Sequence, residues 1–262
     1  MKELIEYTKK LYEKRTLIKY LTASNLKADN KNTVLGYFWW LLEPLLMMLV
    51  YLVVIGVILK RGGHDYPVFL FLALLPWRAF TTSVNASMSS MTSNESLIKQ
   101  ILFPKGILTI TATIGAYINF LFGLVILAAM IFFFKIDLTF KVILFPIIVF
   151  IQIILTLGVA FIFSLLNVFF RDVKNLSEHL FRVGFYLSPA LYSITLVPEQ
   201  YRTIYQLINP FAIFFTSYRD LILYGRYPDL LMLAWAALVS IIVFLIGFTL
   251  FIRSERSFVK VL

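Results

Sequence analysis

Two ionisable residues lie inside apolar stretches of the chain, where they could bind a charged group or pair with another residue. Glu43 precedes Pro44 within the segment TVLGYFWWLLEPLL, and Arg78 follows the sequence LLPW. A charge inside a membrane costs on the order of 2.5–3.5 kcal/mol on insertion scales, so Glu43 should face a partner, a neighbouring subunit or a polar path. For Arg78 the alternatives are a side chain that reaches outward, a span that begins later, or a phosphate-binding role.

An unbroken run of aromatic residues precedes Glu43. Tryptophan and tyrosine are enriched where a spanning helix meets the membrane surface, so an interfacial belt is the simplest interpretation. The run is longer than an anchor needs, and aromatic faces also bind sugars. Pro44 removes a backbone hydrogen bond and predicts a kink just after the run. The candidates for lining a substrate path are Tyr37, Phe38, Trp39, Trp40, Glu43 and Arg78.

Polar residues also mark two connections between apolar stretches. Between the second and third stretches, Asn94 or Ser93 can cap a short helix whose first turn carries Glu95. Such a connector is ordinary in membrane proteins, and it also has the shape needed to fit a groove on a peripheral motor subunit. Arg171 and Asp172 end the fourth stretch as a boundary and helix cap, or as partners of other elements, because adjacent helical residues do not face each other. The candidates for coupling to an ATPase are Asn94, Glu95, Lys99, Gln100, Arg171 and Asp172.

The segment from about residue 188 to residue 228 is apolar in its middle but too short to span a membrane twice. Pro189, Pro198 and Pro210 interrupt it. This pattern fits short helices that dip into the outer leaflet and return. Its tyrosines and arginines either guide an amphiphile out of the membrane or form an aromatic cap. The candidates for an external gate are Tyr201, Arg202, Tyr205 and Tyr218.

Composition sets the class of protein that these elements build. With 60% hydrophobic residues in 262, the chain is too apolar for a soluble globular domain. A spanning helix needs roughly 20 apolar residues, which predicts an all-α membrane protein with six spans. A cytoplasmic amphipathic interface helix at residues 1–33 precedes a membrane domain at residues 34–262. We place the spans near residues 35–59, 67–91, 107–134, 142–169, 176–194 and 229–252.

The charge distribution predicts how the chain lies in the membrane. Lysine and arginine are concentrated in the N-terminal arm and in the segments on the same side of the membrane, which predicts a multi-pass protein with both termini in the cytoplasm. The net charge of +10 suits anionic lipid headgroups, and we expect no nucleic-acid partner.

Signatures of catalysis are missing from the sequence. There is no GxxxxGK[ST] phosphate loop, so the chain cannot bind ATP in that manner, and there is no cysteine. His64 and His179 fall on opposite sides of the membrane in the predicted topology and cannot share a metal ion. We therefore expect a chain that is not an enzyme by itself and has no metal or cofactor of its own.

Four strings, TVLGYFWWLLEPLL, LLNVFFRDVKNL, SPALYSITLVP and INPFAIFFTSYRDLILYG, together resemble the permease subunits of ABC-2 type polysaccharide exporters. This family includes the translocation permeases of O-antigen and of wall teichoic acid. The resemblance covers nearly the whole chain, with the strings in the same order and at matching spacing. It assigns no role to Glu43 or Arg78.

The resemblance implies a homodimer with two copies of a separate cytoplasmic ATPase subunit, which binds ATP and Mg. The implied substrate is a polyprenyl-diphosphate-linked polymer that moves to the outer face of the bacterial cytoplasmic membrane. The connector at about residues 93–105 would dock on the ATPase, and the external re-entrant helices would be those at about residues 196–217. The channel between protomers would be rich in aromatic residues. Among substrates we favour wall teichoic acid. The alternatives are O-antigen or capsular polysaccharide and, more distantly, a drug or lipid.

Overall fold

The structure, a computed structural model, describes residues 2–29, 34–58, 60, 63–101 and 103–261. The described residues contain helices and turns but no β-strand, as the apolar composition predicts. Residue 1 and residues 30–33 of the predicted N-terminal arm lie outside the described residues. The rest of the arm forms two helices, α1 (Lys2–Glu13) and α2 (Arg15–Asp29), with a break at Lys14.

Five helical segments are long and apolar enough to cross a membrane in the part of the chain that the structure describes. They coincide with five of the six predicted spans to within a few residues, except that the last extends further. Within them lie α3 (Trp39–Tyr51), α4 (Tyr66–Ser93), α6 (Gly106–Phe133), α7 (Phe145–Phe169) and α11 (Leu230–Val261). The segments are Gly36–Ile58, Tyr66–Ser93, Gly106–Phe133, Phe140–Phe169 and Leu230–Phe258.

The structure does not confirm the predicted fifth span at residues 176–194. In its place is α8 (Val173–Leu187), which is 15 residues long, and the backbone is extended at Ser188. A helix of that length extends about 22 Å, which is less than the roughly 30 Å hydrocarbon core. Its sequence includes Glu178, His179 and Arg182, so it is amphipathic rather than uniformly apolar. The six-span count is therefore not confirmed.

Two short helices follow α8 in the segment predicted to be re-entrant. They are α9 (Glu199–Ile208) and α10 (Pro210–Ile222). Almost every residue of α10 is buried, and its phenylalanines belong to the main core together with residues of α4 and α8. Trp235 near the start of α11 donates its Nε1–H to the Leu207 carbonyl at 3.1 Å. These helices therefore pack on one end of the bundle, which we call the far end.

At the opposite end, which we call the arm end, the N-terminal helices pack on the bundle. A second core cluster here contains Tyr7 and Leu11 of α1, Ile98 of α5 (Glu95–Gln100), and Phe103 and Phe258. Tyr7 and Leu11 lie about one turn apart on the same face of the amphipathic helix predicted for the arm. At these two positions that face packs against the bundle.

The closest helix contact joins α7 to α11. A Cβ atom at Gly158 would lie 2.6 Å from the Cα atom of Phe244. A Cβ atom at Gly247 would lie 2.3 Å from the Gly158 carbonyl oxygen. Only glycine permits this approach, which is the usual way in which apolar helices pack closely when water does not drive them together.

Candidate functional site

A cavity of about 560 Å³ lies between α3, α4 and α8, and we call it the lateral groove. It contains both ionisable residues that stand inside apolar stretches of the sequence, Glu43 and Arg78. A third charged residue, Arg182 of α8, lines the same cavity. The lining thus carries two guanidinium groups and one carboxylate, which leaves one positive charge in excess.

Glu43 and Arg78 form an ion pair in the lateral groove. Arg78 donates from Nη2 to Glu43 Oε2 and thereby joins α3 to α4. The side chains are 54% exposed for Glu43 and 30% exposed for Arg78, so the pair lies in an open groove. Pairing was one of the alternatives for Glu43, and the structure supplies the partner. In the sequence, the only indication of this pair is that two consecutive apolar stretches carry charges of opposite sign.

Aromatic and hydroxyl groups form the rest of the wall. Trp77 packs against Phe211 with ring centroids 4.7 Å apart, and against Phe185 at 5.8 Å. The hydroxyl groups of Tyr51 and Tyr186 approach each other at 3.5 Å across the groove. The groove is therefore amphipathic, with charged and hydroxyl groups on an otherwise aromatic and aliphatic surface.

The aromatic run at the start of the first span divides into an inward and an outward part. Gly36 has φ +49°, in the left-handed region that favours glycine, so the chain turns just before the run. Trp40 packs edge-on against Tyr37 at 4.7 Å and against Phe122 of α6 at 5.2 Å. Phe38 and Trp39 remain exposed. The sequence does not distinguish these roles, because a run of consecutive aromatic residues has no periodicity.

The predicted ATPase-coupling residues on the connector lie together at the arm end. Lys99 donates from Nζ to Glu95 Oε1 at 2.7 Å, one helical turn apart. This hydrogen bond and the Lys99 charge hold the pKa of Glu95 below its ordinary value, and Arg171 adds a smaller effect of the same sign. Arg171, Asp172 and Gln100 are exposed. Charged groups from two connections thus share one accessible surface, which we call the connector surface.

Asn94 occupies the N-cap position of α5, as predicted, but its side chain does not cap the helix. Instead Asn94 Nδ2 donates to the Ser90 carbonyl of α4 at 2.8 Å. This hydrogen bond stabilises the turn that connects α4 to α5. Ile98, which is 1% exposed, packs α5 into the core cluster at the arm end.

A polar contact between the arm and the bundle was missed by the sequence analysis. The Gly106 backbone N–H donates to the Tyr7 hydroxyl at 3.0 Å. The Lys105 backbone N–H donates to Glu255 Oε1 of α11 at 2.9 Å. Burial raises the pKa of Tyr7, and the Glu255 charge raises it further. The arm, the start of α6 and the end of α11 thus meet at one point.

The external gate candidates separate into two groups. Arg202 donates to the Val197 and Thr195 carbonyls, each at 2.9 Å, and so closes the turn before α9. Tyr205 donates to the Leu187 carbonyl at the end of α8, and its hydroxyl lies 3.0 Å from that of Tyr192. Tyr201 is 55% exposed. These three candidates lie at the far end on α9.

Tyr218 lies apart from the other gate candidates. It is 1% exposed, and its hydroxyl donates to Gln152 Oε1 of α7 at 2.9 Å. Gln152 in turn donates from Nε2 to the Pro76 carbonyl at 2.8 Å. Gln152 thus connects Tyr218 of α10 to the turn of α4 that contains Pro76. This position favours a structural role for Tyr218.

Arg219 is a buried residue that the sequence analysis did not single out. It donates to the Pro189 carbonyl at 2.5 Å, the Ala190 carbonyl at 2.7 Å and the Phe69 carbonyl at 3.1 Å. Its guanidinium also lies 3.4 Å from the centroid of the Phe69 ring. Arg219 thereby satisfies the backbone where α8 ends. Nothing in the local pattern distinguishes it from the exposed arginines nearby.

The helices and the groove together indicate a class of protein. Two helices that can cross a membrane line an amphipathic groove with α8 and share an ion pair, which is typical of a multi-pass membrane protein that handles an amphiphilic or charged ligand. No group of three or more His, Cys, Asp or Glu side chains that could hold a metal occurs in the described ranges.

Residues 16–223 match the family model of the ABC-2 type transporter, and the chain belongs to that family. It is similar to the O-antigen export system permease protein RfbA of Myxococcus xanthus, with 30% identity over 98% of this chain and 99% of the relative. A protein of the same name from Klebsiella pneumoniae is 29% identical over 94% and 95%. The polysialic acid transport protein KpsM of Escherichia coli is 25% identical over 85% and 87%. The family inferred from the sequence motifs is confirmed.

Proposed function

We propose that this chain is the permease subunit of an exporter for a polysaccharide of the O-antigen or capsular type. The observation that carries the proposal is the similarity to an O-antigen export permease over nearly the full length of both chains. The family match and the apolar helices support a permease that spans the membrane several times.

The preference for wall teichoic acid is not supported. The relatives reported above are named for O-antigen export and for polysialic acid transport. The preference depended on the wording of one short string, LLEPLLMM, whereas the similarity to these relatives extends over most of the chain. O-antigen or capsular polysaccharide therefore replaces teichoic acid as the proposed cargo.

The proposed assembly is a homodimer with two cytoplasmic ATPase subunits, which bind ATP and Mg. Both termini lie in the cytoplasm, so the arm end faces the ATPase and the far end faces outward. The connector surface supports this arrangement, because an accessible cluster of charged groups suits a polar protein partner. The arm is joined to the start of α6 through Tyr7, so force applied to either element reaches the other.

The proposed cargo is a polymer on a polyprenyl diphosphate lipid. The exposed aromatic residues Phe38 and Trp39 give sugars flat faces on which to slide, and repeated weak stacking allows movement where a deep pocket would arrest it. The chain itself carries out no covalent step. A drug or small-lipid exporter is the second reading of the family, but no feature of the described residues favours it.

Deletion of the gene in its own host tests the proposed cargo. We expect one surface polysaccharide to disappear and the corresponding lipid-linked polymer to accumulate inside the cell, measured by sugar analysis of surface and membrane fractions. Expression of the chain from a plasmid should restore export. Unchanged surface polysaccharide, or selective loss of a polyol-phosphate polymer, would contradict the proposal.

A further inference from the structure

We propose that the lateral groove binds the phosphate headgroup of a membrane lipid, and that Glu43 is a resident counter-ion that the headgroup displaces from Arg78. The choice of a lipid-linked diphosphate as the ligand rests on the proposed function. The existence of a phosphate site does not, because it is argued from the charges and the shape of the groove.

The first argument is charge. Arg78 and Arg182 line one cavity, and Arg182 forms no ion pair with any residue in the described ranges. A guanidinium is a planar fork of donors that matches the oxygens of a phosphate, and it stays charged in a poorly hydrated site. With only Glu43 opposing them, the two arginines leave a positive charge that the chain does not neutralise within the groove.

The second argument is that the Glu43–Arg78 pair is easy to open. In the span that carries Glu43, 11% of the apolar stretch is buried, compared with 67% in the span that carries Arg78. Glu43 is itself more than half exposed, so a ligand in the groove can reach the ion pair. A carboxylate on a guanidinium occupies the position that a phosphate oxygen would take. A phosphate that takes this position would release Glu43 from Arg78 while Met48 keeps the first span on the core.

The third argument is the shape and lining of the groove. Its volume of about 560 Å³ lies within the usual range for ligand sites. Thr81 and Thr82 of α4 line it beside Arg78 and offer hydroxyl donors. Met47 and Phe185 provide apolar surface in the same cavity. A headgroup on the arginines with a hydrocarbon chain along this surface would satisfy both parts of the lining.

The test measures binding to the purified full-length chain in phosphatidylcholine nanodiscs. The probe is radiolabelled geranylgeranyl diphosphate, with geranylgeraniol, phosphatidylglycerol and inorganic pyrophosphate as unlabelled competitors. We expect Arg78→Gln and Arg182→Gln each to weaken binding about tenfold or more, because each removes a charge-assisted hydrogen bond. Arg226→Gln is the matched control, since Arg226 pairs with Asp220 outside the groove.

The Glu43→Gln variant separates a counter-ion from a structural partner. If Glu43 competes with the headgroup, its removal increases the fraction of Arg78 that can bind, and the probe should bind several-fold tighter. If the pair holds the groove in shape, the same change should weaken binding, and this would overturn the displacement model. If Arg78→Gln does not fold, as judged by its melting curve, Arg182→Gln carries the test, because Arg182 has no ion pair to lose among the described residues.

The competitors distinguish the sources of phosphate. Competition by the diphosphate lipid alone indicates the carrier lipid, whereas equal competition by phosphatidylglycerol indicates ordinary phospholipid. Competition by pyrophosphate indicates that the headgroup suffices without a chain. Each of these results supports a phosphate site, while competition by geranylgeraniol or unchanged affinity in both arginine variants would overturn it. Failure of the proposed function is seen separately, as polysaccharide export that persists when the gene is deleted.

Discussion

The first and second apolar spans share an ion pair but differ in almost every other respect. In α4, Pro76 and most of its neighbours are buried, and contacts with α6 and α7 place it at the centre of the bundle. In the first span most side chains are exposed, and the helix continues beyond Tyr51 as a π-helix at Leu52–Ile58. Such wide turns often accompany functional sites. The comparison indicates a rigid scaffold with one loosely attached helix.

The difference matters because both helices line the lateral groove. A groove with one fixed and one weakly held wall can open without breaking the core. Glu43 contacts Arg78 and Trp40 contacts Phe122, while Met48 is the residue of this helix that enters the main core. The predictions below test this division between scaffold and loose helix.

The largest effect is expected where the scaffold is tightest. Gly158→Leu should lower the free energy of unfolding by about 3 kcal/mol or more, because its Cβ would collide with the backbone of α11 at Phe244. Gly56→Leu is the control in the first span, since a Cβ there meets no atom within 4 Å. Thermal unfolding in detergent measures both. Equal losses would mean that the first span is packed as tightly as the scaffold.

Removal of a single hydroxyl group inside the scaffold should cause a smaller loss of stability. Tyr218→Phe leaves Gln152 Oε1 without its donor and should cost about 1–3 kcal/mol of stability. The exposed Tyr201 provides the control, and Tyr201→Phe should leave unfolding unchanged. Chemical denaturation of both variants measures the difference. A Tyr218→Phe protein that is stable but impaired in export would instead support the predicted role of Tyr218 in the external gate.

Pattern and composition predict the helical class and the approximate positions of five long helices, because apolar length is a local property of the sequence. The fifth predicted span, at α8, is not confirmed, because the helix there is only 15 residues long and its sequence is only marginally apolar. Pattern and composition also miss how α10 enters the core. That packing depends on Arg219, which binds carbonyl groups about 30 and 150 residues away in sequence, and no local pattern encodes such contacts.

At the candidate site, too, the sequence identifies individual residues but not the contacts between residues that are distant in the chain. The sequence identifies Glu43 and Arg78 because charges are rare in apolar segments, but it cannot show that they meet. It groups Tyr37 to Trp40 as one aromatic surface, although Trp40 faces α6 and Trp39 does not. It misses Arg182 as a lining residue, since α8 contains other charged residues of equal prominence.

The attachment of the first span can be tested through the aromatic run. Trp40→Ala should lower stability by about 1 kcal/mol, because it removes edge-on contacts with Tyr37 and Phe122. Trp39→Ala should leave unfolding unchanged, since Trp39 is 42% exposed, yet it should reduce export if that face contacts the polymer. Unfolding and surface polysaccharide are measured for both variants. Normal export by Trp39→Ala would reduce Trp39 to a membrane anchor.

The smallest effect on stability is expected at the connector surface, where the scaffold meets the proposed motor. Glu95→Lys should change the free energy of unfolding by no more than about 0.5 kcal/mol, because an exposed pair one turn apart contributes little. It should nevertheless uncouple ATP hydrolysis from export in the complex with the ATPase. The double variant Glu95→Lys, Lys99→Glu keeps an ion pair but reverses its direction. Restored coupling in that variant would show that the pair acts within the helix, whereas continued uncoupling would show that the partner contacts the charges of the connector surface directly.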